Sequence, residues 1–158
     1  MSDAHAELIE HFYRALQRRD AEAMCACYHP QVRFSDPVFA DLRGEAAGDM
    51  WRMLCSRAQD FSLSYGQVQA DSQRGSAQWQ ARYTFSQTGR SVLNRIQAEF
   101  EFGDGLILVH RDQFDLWRWA RQALGARGWL LGALPPVQRA IAAQAARSLT
   151  AWRAARQG

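Results

Sequence analysis

The chain has no lysine: all 19 of its basic residues are arginine. Cysteine is scarce. Cys25, Cys27 and Cys55 form an odd set without metal-site spacing, which reads as reduced, packed thiols in a cytoplasmic protein. No apolar run approaches the ~20 residues that span a bilayer. The opening stretch, Met1 to Glu7, is acidic and helical rather than basic and then apolar, so neither a signal peptide nor a membrane partner is expected. No glycine loop of the phosphate-cradling kind and no nucleophile elbow occurs. His5, His11, His29 and His110 lack ligand spacing. Metal and cofactor are therefore both expected to be absent.

Acid is missing from one end. Up to Asp115 the chain holds 12 Arg against 16 Asp plus Glu, and after it seven Arg and no acid. A basic tail suits nucleic acid, an anionic surface, or an acidic body of its own or a partner subunit. These arginines are scattered, with no cluster and no interleaved aromatic platform. The spacing speaks against nucleic acid and for a solvated or docked helix.

What remains is ordinary for one globular domain: 158 residues, 47% hydrophobic and 22% charged. Ser2 or Asp3 can cap a helix to Gln17 that carries Leu8, Phe12, Ala15 and Leu16 at helical spacing. Asp20 opens a second helix through Tyr28, ended by His29 and Pro30. Val32 to Asp36 reads as a short strand stopped by Pro37. Gly44 introduces a helix to about Arg57 with Met50, Trp51 and Leu54 on one face. The period then changes to two, with strands at about 61–70, 76–87, 91–102 and 105–114. After a helix from Asp115 to Leu124, Trp129 to Gly132 reads as an apolar turn. A long helix then begins at Pro135, with Val137, Ile141, Ala145, Leu149 and Trp152 in one stripe.

Strand residues two apart share a face. Trp79, Ala81 and Tyr83 share one side of their strand, and Asn94, Ile96, Ala98 and Phe100 share one side of the next. On the last strand His110, Asp112 and Phe114 point the same way, which by parity is inward. An acid two residues from a histidine on an inner face needs a reason, because burying an unpaired carboxylate is costly. That reason is a ligand, or a salt bridge to Arg82 or Arg95. The order is α+β, with a twisted antiparallel sheet wrapped round the N-terminal helices as a cone. Its inner face carries Phe34, Trp79, Tyr83, Asn94, Ile96, His110 and Asp112, a mostly apolar pocket with few polar groups.

This order, with Phe34 to Val38 and the closing run Arg111 to Asp115, resembles the nuclear-transport-factor-2-like (NTF2-like) superfamily over roughly residues 5–118. That group includes ketosteroid isomerase, limonene-epoxide hydrolase and the SnoaL-type polyketide cyclases. The resemblance implies one NTF2-like domain over 1–118, a C-terminal helical extension over 119–158 and a homodimer. Asp36 looks like the catalytic base of the isomerase, and Asp112 is similar to a catalytic aspartate of the epoxide hydrolase. The isomerase's oxyanion donors align with Phe12 and Ala98, which have none, and Tyr13 is expected to face about 100° away. The hydrolase's Arg and second Asp align with Trp79 and Ala81. The looser demand of a SnoaL-type cyclase is an acid/base carboxylate in an apolar cavity, which Asp112, His110 and Asn94 can meet.

The expected site thus has Asp112, His110 and Asp36 as catalytic groups. Phe12, Phe34, Trp51, Trp79, Tyr83, Asn94, Ile96 and Ala98 line it. The expected function is cofactor-free isomerisation, cyclisation or hydration of an apolar small molecule. The alternative is a binding or assembly module with a vestigial cavity.

Overall fold

The first helix, α1 (Asp3–Gln17), buries Ile9, Phe12, Tyr13, Ala15 and Leu16. This computed structural model describes residues 3–157, so the expected cap at Ser2 lies outside the described residues. Asp20 caps α2 (Ala21–Ala26) by accepting from the Ala23 N–H at 3.1 Å. β1 (Tyr28–Ser35), β2 (Leu42–Arg43) and α3 (Glu45–Arg57) follow. β3 (Ser62–Ala70), β4 (Arg74–Phe85), β5 (Arg90–Gly103) and β6 (Leu106–Gln113) form the meander, and α4 (Leu116–Leu124), α5 (Ala126–Leu131) and α6 (Pro135–Gln157) come last.

The six strands run in the order β2-β1-β6-β5-β4-β3. From β3 to β6 the neighbours are antiparallel, as the alternation predicts. β1 joins β6 in parallel and sets Phe34 beside His110, so the curved sheet is mixed. The α+β cone is the architecture observed. Gly75 of β4 lets α1 cross closely, since a Cβ there would lie 2.8 Å from Ile9 Cδ1.

Three local expectations need correction. The second helix stops at Ala26, and Tyr28, His29 and Pro30 belong to β1. Proline gives no N–H to a ladder, and the β1–β6 register shifts between Tyr28 and Arg33, where Pro30 sits. β2 is two residues long, too short to display any alternation. Ala126 to Leu131 is a helix rather than an apolar turn. It forms because Gly128 packs on α4, where a Cβ would strike the Ala120 carbonyl.

The C-terminal helices have distinct contacts. β6 ends at Gln113 opposite Gln97, which leaves the earlier part of β5 with an open edge. The Gln122 side chain of α4 fills it, accepting from Leu93 N–H at 2.7 Å and donating to Leu93 C=O at 3.1 Å. α6 lies on α3. Leu149 is buried there, with Ala145 and Trp152 partly so. Arg153 Nε and Arg156 Nη1 donate to the Asp49 carboxylate at 2.9 and 3.1 Å, and Arg52 joins them at 2.9 Å. Leu149→Ala is expected to lower stability by about 2–4 kcal/mol, the usual loss for a truncated core leucine. Urea denaturation measures it, and an unchanged midpoint would mean that α6 is not held by this contact.

Candidate active site

β6 carries the centre of the site. Parity turns His110 and Asp112 to the same inner face, and both are buried, at 0% and 2% exposure. Aromatic rings enclose the imidazole. Phe100 lies at 4.5 Å between centroids, Phe34 at 5.0 Å, Phe12 at 5.5 Å, and Trp51 is stacked at 6.3 Å. Both ring nitrogens are engaged: Nδ1 with Tyr28 Oη at 2.8 Å, Nε2 with Asp112 Oδ1 at 2.9 Å. Tyr28 Oη in turn accepts from Trp51 Nε1 at 2.8 Å.

With a neutral imidazole and an ionised Asp112, the donors in this run have one arrangement. Tyr28 gives its hydroxyl proton to His110 Nδ1, and Nε2–H donates to Asp112. A charged imidazolium would leave the Tyr28 proton without an acceptor. Burial raises the Tyr28 ionisation well above its ordinary value, which keeps that proton in place. His110 therefore holds Asp112 and has no N–H left for another acceptor. Trp79 Nε1 adds a long contact of 3.5 Å to the same Asp112 oxygen. Asp112 Oδ2 has no hydrogen-bond donor among the described residues. The alternative salt bridge does not form, because Arg82 and Arg95 are both exposed.

Asp36 follows the end of β1. Its Oδ1 accepts from the Val38 and Phe39 N–H groups at 2.7 and 2.6 Å, and its own N–H donates to Phe39 C=O. This is the local turn that an aspartate before proline favours. Burial pushes its carboxyl up to about 6; the two backbone N–H groups oppose the rise, and the Asp112 charge adds to it. Asp36, Asp112 and His110 thus lie within electrostatic reach of one another.

The remaining expected residues divide by depth. Phe12, Phe34, Trp51, Trp79, Ile96 and Ala98 are buried in the cone. Ala98 pairs with Asp112 across β5 and β6, and Trp79 pairs with Ile96. Tyr83 and Asn94 are half-buried toward the other end of their strands. Tyr83 Oη accepts from Trp119 Nε1 at 2.7 Å, which fixes it under α4. Two residues escaped the sequence reading. Tyr28 was assigned to a helix and so not to the inner face. Tyr13 is fully buried beside Phe12, not turned away from the cone. Its position one residue after a core phenylalanine was the available signal.

On the outer sheet face Gln78, Gln80, Arg95, Gln97 and Gln113 line a groove of about 460 Å³. Among the described residues no three His, Cys, Asp or Glu side chains are grouped to hold a metal ion. No helix there is long and apolar enough to cross a membrane.

No curated protein sequence matches the chain. In structure it is similar to an LEH-like epoxide hydrolase of M. tuberculosis, 22% identical with a TM-score of 0.65, over 84% of this chain and 96% of that one. It is similar to TsrD of Streptomyces laurentii, 27% identical with a TM-score of 0.68, over 80% and 98%. A third likeness is to a putative polyketide cyclase of Xanthomonas campestris pv. campestris, 19% identical with a TM-score of 0.64, over 75% and 96%. The SnoaL-like domain model matches residues 9–110, from α1 to the buried histidine itself. The chain belongs to the SnoaL-like family and has its NTF2-like fold.

Proposed function

We propose that the cone binds a small apolar molecule and carries out cofactor-free acid/base chemistry on it, of the isomerase, cyclase or hydratase type. One observation carries this reading. Two carboxylates, Asp112 and Asp36, sit in an apolar interior with Oδ1 anchored in each. Neither Oδ2 has a hydrogen-bond partner among the described residues. An anchored carboxylate with one open oxygen is an oriented base, and exclusion of water favours proton transfer to it. Asp112 is the acid/base in this reading. His110 positions it, and Asp36 is a second carboxylate nearer the rim. Trp79, Phe34 and Ile96 supply apolar wall, with the half-buried Tyr83 and Asn94 farther along the same strands. The fold neighbours that are an epoxide hydrolase and a putative polyketide cyclase support the class of chemistry by analogy only. The same reading has the chain pair as a homodimer through the outer sheet face. Light scattering at micromolar concentration checks this, and a monomer would refute it.

Proton abstraction is testable without the natural substrate. 1-Tetralone is apolar and has acidic protons beside its carbonyl. The full chain is expected to speed exchange of those protons in D2O, followed by proton NMR. Asp112→Asn should slow this exchange by about 10²-fold or more, the scale of a general acid/base. Asp36→Asn should slow it less. Exchange no faster than in buffer, or a larger loss at Asp36, would reject the assignment.

Asp36 also makes a stability prediction. Its folded-state value of about 6 lies above the ordinary 3.8. Between those values the folded chain binds more protons than the unfolded one, so this group makes stability fall as pH rises from about 4 to 6. The full effect is about 3 kcal/mol at roughly 1.4 kcal/mol per unit. Asp36→Asn keeps the Oδ1 acceptor and removes the titration. The variant should gain on the parent by urea denaturation as pH goes from 4 to 7; parallel curves would show that Asp36 is not desolvated.

A further inference from the structure

The large apolar side chains exposed among the described residues are Leu54, Trp129, Leu130, Leu131 and Leu134. All but Leu54 fall within positions 129–134, on α5 and just after it. Leu130 is the most open, at 77% exposure, and Trp129 follows at 59%. The packing of α5 explains why. A Cβ at Gly128 would strike the Ala120 carbonyl, and one at Gly132 would lie 2.8 Å from Ala120 Cβ. This segment therefore docks on α4 through glycine and turns its bulky residues to water, the reverse of a helix held by its apolar side. Exposed apolar groups clustered in this way mark an interaction surface.

The charge around them has one sign. After Asp115 the chain has no Asp or Glu. Arg153 and Arg156 are taken up by Asp49. Arg118, Arg121, Arg127 and Arg139 form no ion pair among the described residues. Arg121 lies over the Trp117 and Trp129 rings, at 4.3 and 5.9 Å from their centroids. Trp117 Nε1 donates to the Trp129 carbonyl at 3.2 Å, whereas the Trp129 N–H donates to no group among the described residues. Exposed leucines, an indole with a free polar tip and unpaired guanidiniums match an anionic bilayer surface. The acyl boundary takes the leucines, the headgroup level takes the indole, and lipid phosphate takes the guanidiniums. A second copy fits less well, because it would set one acid-free, arginine-bearing surface against another. The lack of a spanning run, from which no membrane partner is expected, bears on crossing alone; an interfacial contact needs no such run.

We propose that α5 and the turn after it seat the protein on an anionic lipid bilayer. Trp129, Leu130, Leu131 and Leu134 enter the interface, and Arg121 and Arg127 meet lipid phosphate. This seat is independent of the chemistry inside the cone.

Sucrose-loaded vesicles test it by cosedimentation, with phosphatidylcholine alone compared with a phosphatidylcholine–phosphatidylglycerol mixture. The full chain should partition about tenfold more strongly to the mixed vesicles, and less so as salt rises. Leu130→Ser should weaken that binding about tenfold, and Arg127→Gln about fivefold. Arg147, about 18 Å beyond Pro135 along α6 at 1.5 Å per residue, is the control. Arg147→Gln should change binding by less than about twofold, since that distance exceeds the screening length. Leu130 and Arg127 are exposed, so both variants should melt with the parent. No pelleting with the mixed vesicles, equal pelleting with both kinds, equal losses at Arg127 and Arg147, or no loss in Leu130→Ser overturns the proposal. So does a lower melting temperature for Leu130→Ser, which would mean that the side chain is already packed. A mass by light scattering that falls in Leu130→Ser also overturns it, and would make the patch a contact between copies.

Discussion

The buried run from Trp51 through Tyr28 and His110 to Asp112 is the constraint on which the interior depends. Its members come from α3, β1 and β6, so the bonds fix the helix against two strands that are far apart in sequence. Each bond is short and each partner is buried among rings, where an unmade hydrogen bond costs most. The run also has a direction. With the imidazole neutral, donors point from the indole toward the carboxylate and the chain of dipoles converges on Asp112. A carboxylate held this way keeps its orientation, and its second oxygen is left open.

Charge is sorted around that centre. Asp112 and Asp36 lie inside, while Arg82 and Arg95 on the outer strand face are exposed and turned away from them. The acid-free extension finds its counter-charge on Asp49, where Arg52, Arg153 and Arg156 meet one carboxylate. Ion pairs at such a half-exposed place contribute modestly. Burial of Leu149 carries more of the docking of α6, and the arginines fix its position along α3.

Periodicity made the meander legible, because one inner and one outer residue alternate cleanly along β4 and β5. It also turned His110 and Asp112 inward. The first strand was harder. His29 and Pro30 look like a helix stop, and only the tertiary partners of Tyr28 pull that residue into the sheet. Tyr13 shows a different limit. Neighbours on a helix lie 100° apart, which suggests opposite fates when a helix touches a flat surface. Here the sheet curves round α1, so Phe12 and Tyr13 are both covered, one against His110 and the other against Trp79. A broad buried face is a property of the cone, and no window of residues within α1 contains it.

Depth orders the polar groups of the site. Tyr83 is half-buried and feels the charge of Asp36; Asp36 feels Asp112; Tyr13, fully buried, feels Asp112 in turn. Val92, opposite Tyr83 on the same inner face, is fully buried, and α4 covers this end of β4 and β5 through Trp119 and Gln122. Anchoring is complete on His110 and partial on the carboxylates. It is absent on the Tyr13 hydroxyl, which has no hydrogen-bond partner among the described residues.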